Sequence, residues 1–137
     1  MPSYSANINK PIANVWEHFI FKIDNPQHFV PGVSNVVIKE KNKDFTIREM
    51  TITSPDGNSA RVTERITATP FHVKFDLINH PQFTGHVDNF AESIGENQTL
   101  ITFNMQWINK STGEKITDDT IIKKAVLKTI DFIEAND

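Results

Sequence analysis

From Val33 to about Trp107 the chain runs as short stretches of alternating apolar and polar residues broken by turn residues, with an amphipathic helical stripe on each side. Successive strands joined by tight turns pair antiparallel with their neighbours, so the pattern favours one meandering sheet with helices at its ends. The clearest hairpin spans residues 44–68. Pro55-Asp56-Gly57 fits a three-residue loop, with Pro at the first turn position and Gly at the left-handed one. Such a loop pairs Ser54 with Asn58, and a side-chain period of two then sets the rest of the register. One face carries Ile52 opposite Ala60, Met50 opposite Val62, Arg48 opposite Glu64 and Thr46 opposite Ile66. The other carries Thr51 opposite Arg61, Glu49 opposite Thr63 and Ile47 opposite Arg65. The first set is the more apolar and is assigned to the interior.

Beyond Thr69-Pro70, Val73, Phe75 and Leu77 alternate with His72, Lys74 and Asp76. A second hairpin turns around Gly95-Glu96-Asn97 and sets Ala91 opposite Ile101, Asn89 opposite Phe103, Val87 opposite Met105 and Gly85 opposite Trp107. Residues 3–8 read as a first strand. After it, Ile12, Val15, Trp16, Phe19, Ile20 and Ile23 follow helical spacing, with Asn9 placed to cap the helix and Pro11 in its first turn. Asp24-Asn25-Pro26 ends that helix, because the residue before a Pro avoids the helical region. Pro26 to Pro31 leaves space for one further helical turn. Asp118-Asp119 opens a last helix that runs to about Ala135, with Ile122, Ala125, Val126, Thr129, Ile130 and Ile133 as its apolar stripe. At 1.5 Å per residue it is roughly 27 Å long, enough to cross a sheet. The order is a strand, one or two short helices, about six more strands and a long helix. That is an α+β layer arrangement, a single domain over residues 1–137.

Composition removes several function classes. The chain has no Cys, which excludes disulfides, Cys-ligated metals and thiol catalysis. Its formal charge is -3, with neither a basic footprint for nucleic acid nor a polybasic membrane patch. No segment approaches the ~20 apolar residues of a membrane span, and the first residues lack a signal-peptide pattern. A cytoplasmic protein without stable membrane insertion is the expectation. No His-Glu-x-x-His, close His pair or carboxylate cluster offers metal geometry, and no glycine motif offers a phosphate loop, so neither metal nor cofactor is expected. Gly-x-Ser-x-Gly is absent as well. His72 and His86 fall on outer faces of strands, His18 lies off the stripe of its helix, and His28 and His80 sit in turns. His28, placed near a pocket mouth, is the one candidate acid or base among them. Ten Phe stand against two Trp and one Tyr, a bias toward a dry interior.

The order of elements resembles the helix-grip fold of the START/SRPBCC superfamily, to which birch-pollen-allergen-like proteins and polyketide cyclases belong. A closer likeness is to the AtaL-like family of small SRPBCC proteins. It rests on Asp24-Asn25-Pro26-Gln27-His28-Phe29-Val30-Pro31-Gly32, on Arg48-Glu49 in the third strand and on Val62-Thr63-Glu64-Arg65 before Pro70. The Asn-Pro-Gln-x-Phe-Val-Pro-Gly segment is the most specific of these. The resemblance implies a curved antiparallel sheet of about seven strands wrapped on the C-terminal helix, with a cavity between them for an apolar small molecule. It implies no one reaction, since one fold hosts many functions.

On that frame the expected lining is Phe19, Phe29, Met50, Val62, Phe75, Leu77, Phe103, Met105, Val126 and Ile130, with Arg48, Glu64 and Asn89 as polar anchors. Arg48 and Glu64 have two readings. At a wet edge they form a cross-strand ion pair worth ~0.2–1 kcal/mol. Facing the cavity they form a desolvated pair, in which Arg48 orients a ligand carbonyl or carboxylate and Glu64 holds Arg48 in place. Asn89 is either a wall amide satisfied by water or a single hydrogen bond to the ligand. Three functions fit: a binder of an apolar or amphipathic (lipid- or polyketide-like) molecule, a cyclase-like enzyme in which Arg48 stabilises an enolate, and a protein-interaction module with a vestigial cavity. Phe45, Ile47 and Phe90 fall on outer faces and suit a dimer contact, so both monomer and homodimer stay open.

Overall fold

In the computed structural model, which describes residues 2–136, strands β1 (Ser3–Ile8), β2 (Val33–Lys41), β3 (Thr46–Thr53), β4 (Ser59–Thr69), β5 (His72–Asn79), β6 (Phe83–Gly95) and β7 (Gln98–Asn109) form one curved antiparallel sheet. Its order is β1-β7-β6-β5-β4-β3-β2. After β1 come helix α1 (Ile12–Asp24) and a short 3-10 turn (Pro26–His28), and helix α2 (Thr120–Ala135) closes the chain. This is the helix-grip architecture expected from the order of elements.

Both hairpin registers follow from their turns. Ser54 N donates to Asn58 O at 2.8 Å and Gly57 N to Ser54 O at 2.9 Å, with Gly57 at φ 89° in the left-handed region. Arg48 accordingly faces Glu64 and Met50 faces Val62. Across the second hairpin Asn89 faces Phe103 and Val87 faces Met105, while a shift between Ser93 and Gly95 absorbs the turn.

The helices depart from the sequence reading at two points. Asn9 does not cap α1: the cap position is Pro11, extended at φ -64° and ψ 152°, and Asn9 Oδ1 accepts from Gln98 Nε2 at 3.2 Å instead. The extended Pro11 delays the helix to Ile12, which leaves Asn9 too far upstream. The buried arc of α1 is also turned from the expected one. Ile20 is 41% exposed, whereas Lys22 is buried at 4%. At about 100° per residue, position 20 lies ~100° from Phe19 around the helix and position 22 only ~60° on the other side. A stripe centred on Phe19 therefore takes in Lys22 and leaves Ile20 outside.

Helix α2 packs mainly on β1 and β7. It buries Ile122, Ala125, Val126, Thr129 and Ile133, with Ile130 half-buried. Thr129 stays satisfied inside because its Oγ1 donates to Ala125 O at 2.8 Å.

Candidate functional site

β3 and β4 bring Arg48 and Glu64 to the concave face, where Arg48 Nη2 donates to Glu64 Oε1 at 2.6 Å. Arg48 is 2% exposed and Glu64 5%, so this is the desolvated pair and not the wet edge. Arg48 Nη1 also donates to Ile23 O at 2.9 Å and Lys22 O at 3.2 Å. Those are carbonyls of the last turn of α1, at the negative end of its dipole, and Lys22 O accepts from Asn25 N at 3.2 Å as well. Arg48 thus ties the end of α1 to β3, next to the β2 edge of the sheet, and Glu64 balances its charge.

Lys22, at the same helix end, is the residue that the sequence reading missed. Its Nζ donates to Asn89 Oδ1 at 2.5 Å. The ammonium lies 4.4 Å from the centroid of the Phe103 ring and 5.1 Å from that of Phe75. Burial first, and the Arg48 charge second, lower its pKa from 10.5 to about 7, while Glu64 pulls the other way. The signal lay in spacing: Lys22 stands three residues after Phe19 and seven after Val15, on their stripe. Around this cluster Arg48 Nε and Asn89 Nδ2 are buried with no hydrogen-bond partner.

These four side chains form part of the wall of a cavity of 540 Å³ beneath the first turns of α2. Met50, Phe75, Val87, Phe103, Met105 and Trp107 supply its apolar sheet side, and Ile121, Ile122 and Ala125 its helix side. Val30, Pro31 and Gly32 form part of the rim, which gives the most specific family segment a structural role. Gly32 is required there. Its φ is +81°, and a Cβ would lie 2.2 Å from Thr53 O, on the strand end to which Gly32 O is bonded. Exposed Ser54, Pro55, Asp118 and Thr120 frame the opening.

Of the thirteen anticipated site residues, Arg48, Glu64, Asn89, Met50, Phe75, Phe103 and Met105 meet at this wall. Phe19, Phe29, Val62 and Val126 are buried but lie outside it, and Leu77 and Ile130 are half-buried and also outside. Phe19 packs on Phe103 and Trp16, and Phe29 on Phe21 and Phe132, so these rings fill solid core beside the hollow. His28 is not at the mouth: it stacks on Phe132 at 4.9 Å, because the 3-10 turn aims it at the end of α2. His72 and His86 flank Asp88 at 2.7 and 3.3 Å. His80 Nδ1 accepts from Gln82 N and Phe83 N, and burial lowers its pKa, so it is a neutral ring holding a turn. A shallow groove of 450 Å³ between the start of α1 and the end of α2, lined by Glu17, Phe21 and Phe132 among others, lies apart from the charged cluster.

Residues 3–135 match the AtaL family, described as acetylaranotin biosynthesis cluster protein L. Among solved structures, the chain is similar to the Zhui aromatase/cyclase from Streptomyces sp. R1128, with 13% identity, a TM-score of 0.77 and coverage of 97% of this chain and 90% of that one. It is similar to a START superfamily protein from Mycobacterium smegmatis, with 11% identity, a TM-score of 0.66 and coverage of 97% and 90%. Ara h 8.0201 shares 15% identity at a TM-score of 0.61, over 97% of this chain and 93% of that one. These likenesses are of fold. No curated protein matches the chain. No helix among the described residues is long and apolar enough to cross a membrane.

Proposed function

The chain belongs to the AtaL family, and from that premise we propose that it binds one apolar or amphipathic small molecule, lipid- or polyketide-like, in the cavity beneath α2. One observation carries this reading: a 540 Å³ cavity has a mainly apolar wall in which Lys22, Arg48, Glu64 and Asn89 form one buried polar cluster, its other polar residues lying on strand ends and at the α2 side. Removing the ligand's apolar body from water contributes about 25 cal/mol per Å² before ordering costs. The polar cluster fixes orientation. Lys22 and Asn89 are the groups that meet the ligand's polar end, and Arg48 with Glu64 forms the frame that holds them.

The second reading is a cyclase-like enzyme that folds a reactive chain in the same space, where confinement substitutes for a triad. The fold shared with an aromatase/cyclase supports it. Arg48 suits enolate stabilisation less than the sequence suggested, because both its terminal nitrogens already serve Glu64 and the α1 carbonyls. A vestigial, collapsed cavity has no support in a hollow of this size.

The test is native mass spectrometry of the chain purified from its own host, with displacement of a fluorescent fatty-acid probe. One molecule per chain and a probe affinity weakened at least tenfold by the cavity-filling Met50→Trp are the expected results. Failure of the folded protein to take up either the host molecule or the probe would overturn the reading. Unchanged affinity in a folded Arg48→Met variant would remove the polar cluster from ligand binding.

A further inference from the structure

Resting on that reading, we propose that the cavity takes a ligand bearing an aldehyde or ketone, and that Lys22 Nζ condenses with its carbonyl carbon to form an imine. The placement of Lys22 is costly for a structural residue. Its stem could be replaced by the apolar chain of Met, whereas an ammonium loses several kcal/mol of hydration when buried. The hydrogen bond its Nζ makes is to a neutral amide, Asn89, and Phe75 and Phe103 flank it. It lines the hollow together with both rings and Asn89. An amine that is buried yet stands on the wall of an apolar cavity is positioned to meet a ligand without competing water.

The charged groups facing it are Arg48 from β3 and Glu64 from β4, with Asp118 and Lys124 at the α2 side of the cavity. Desolvation and Arg48 outweigh Glu64 and bring the amine's pKa to about 7, so free amine is abundant at neutral pH. The nitrogen lone pair forms the C–N bond as the carbonyl π pair moves to oxygen. That oxygen takes the proton lost by nitrogen, and the product is a carbinolamine. Loss of hydroxyl with a second proton, as water, leaves C=N, so amine and carbonyl give imine and water with no redox change. Asn89 Nδ2, buried and unpartnered beside Nζ, is the donor available to the oxygen as it gains charge.

The experiment treats the full chain with decanal and sodium cyanoborohydride, which reduces an imine to a stable secondary amine, and maps the adduct by peptide mass spectrometry. Decanol, which cannot react, measures occupancy of the cavity in parallel by probe displacement. At pH 7 the free-amine fraction of Lys22 exceeds that of an ordinary lysine by a factor on the order of 10³. Adduct on Lys22 at least about tenfold above exposed Lys39, Lys43 or Lys115 is therefore expected. Its pH midpoint should lie near 7. Lys22→Arg and Lys22→Met, each shown to be folded by circular dichroism, should lose that adduct. Adduct spread over exposed lysines with Lys22 spared, in protein that binds decanol, would overturn the imine and leave the binding reading intact. Failure to bind decanol at all would overturn both.

Discussion

Where the second half of α2 lies over β1 and β7, Ile8, Val15, Ile101, Val126 and Ile133 are each 0% exposed, whereas at the start of α2 the same interlayer space opens into the cavity. The two regions also treat polar atoms differently. In the sealed part Thr99 Oγ1 donates to Lys10 O at 2.8 Å and Thr129 Oγ1 to Ala125 O at 2.8 Å, so the hydroxyls are satisfied locally. In the hollow part an ion pair and a lysine are buried together, and Arg48 Nε and Asn89 Nδ2 have no partner. Close packing stabilises one part. The other keeps unfilled volume and unpaired donors, which cost stability and, on the function proposed above, serve recognition.

The sharpest way to break this contrast is to truncate one side chain in each part. Phe19→Ala in the sealed part should cost ~3–5 kcal/mol by urea denaturation, through lost transfer energy and a new cavity. Met50→Ala on the wall should cost about 2 kcal/mol or less, because its face already lacks partner atoms on one side. Equal costs would show that the hollow is not softer than the core. Next in size, Glu64→Gln should destabilise by about 3 kcal/mol by leaving Arg48 and Lys22 without a counter-charge. Arg48→Met combined with Glu64→Leu should recover part of that loss, measured as the shift in urea midpoint.

A smaller effect comes from pH. Lys22 has a pKa of about 7 when folded and 10.5 when ordinary, so between those values the unfolded chain holds the extra proton. Stability should rise with pH across that window, by at most about 1.4 kcal/mol per unit. The contribution is complete above pH 10.5 and lost as pH falls through about 7. Subtracting the profile of Lys22→Met isolates it; superimposable profiles would contradict the buried amine. The smallest change is expected at the rim. Ile121→Ser, at a position 55% exposed, should alter stability by no more than about 0.5 kcal/mol. Because Ile121 lines the cavity, the same substitution should weaken uptake of the fluorescent probe.

Much of the hollow region is legible in the sequence. The Pro55-Asp56-Gly57 loop sets Arg48 against Glu64, and the turn at Gly95 sets Asn89 against Phe103. Seven anticipated residues consequently meet at one wall. Phe19, Phe29, Val62, Leu77, Val126 and Ile130 are expected there and stand elsewhere, because inward direction alone does not say where packing closes and where it leaves a gap. Lys22 escapes notice because an amphipathic stripe is read from its apolar members, and lysine counts as the solvent face. Asn9 misleads for a related reason: a good capping residue is present, but Pro11 sets the helix start.

Element order, the register of the two hairpins and the pairing of Arg48 with Glu64 are fixed by the chain alone, since turn geometry and a period of two act between near neighbours. The rotation of α1 on the sheet is not. It is set by how Val15 and Phe19 find space against residues far along the chain, and it carries Lys22 to an Asn89 that is 67 positions away. Only that long-range packing decides that one end of the interior is solid, that the other is open, and that an amine stands in its wall.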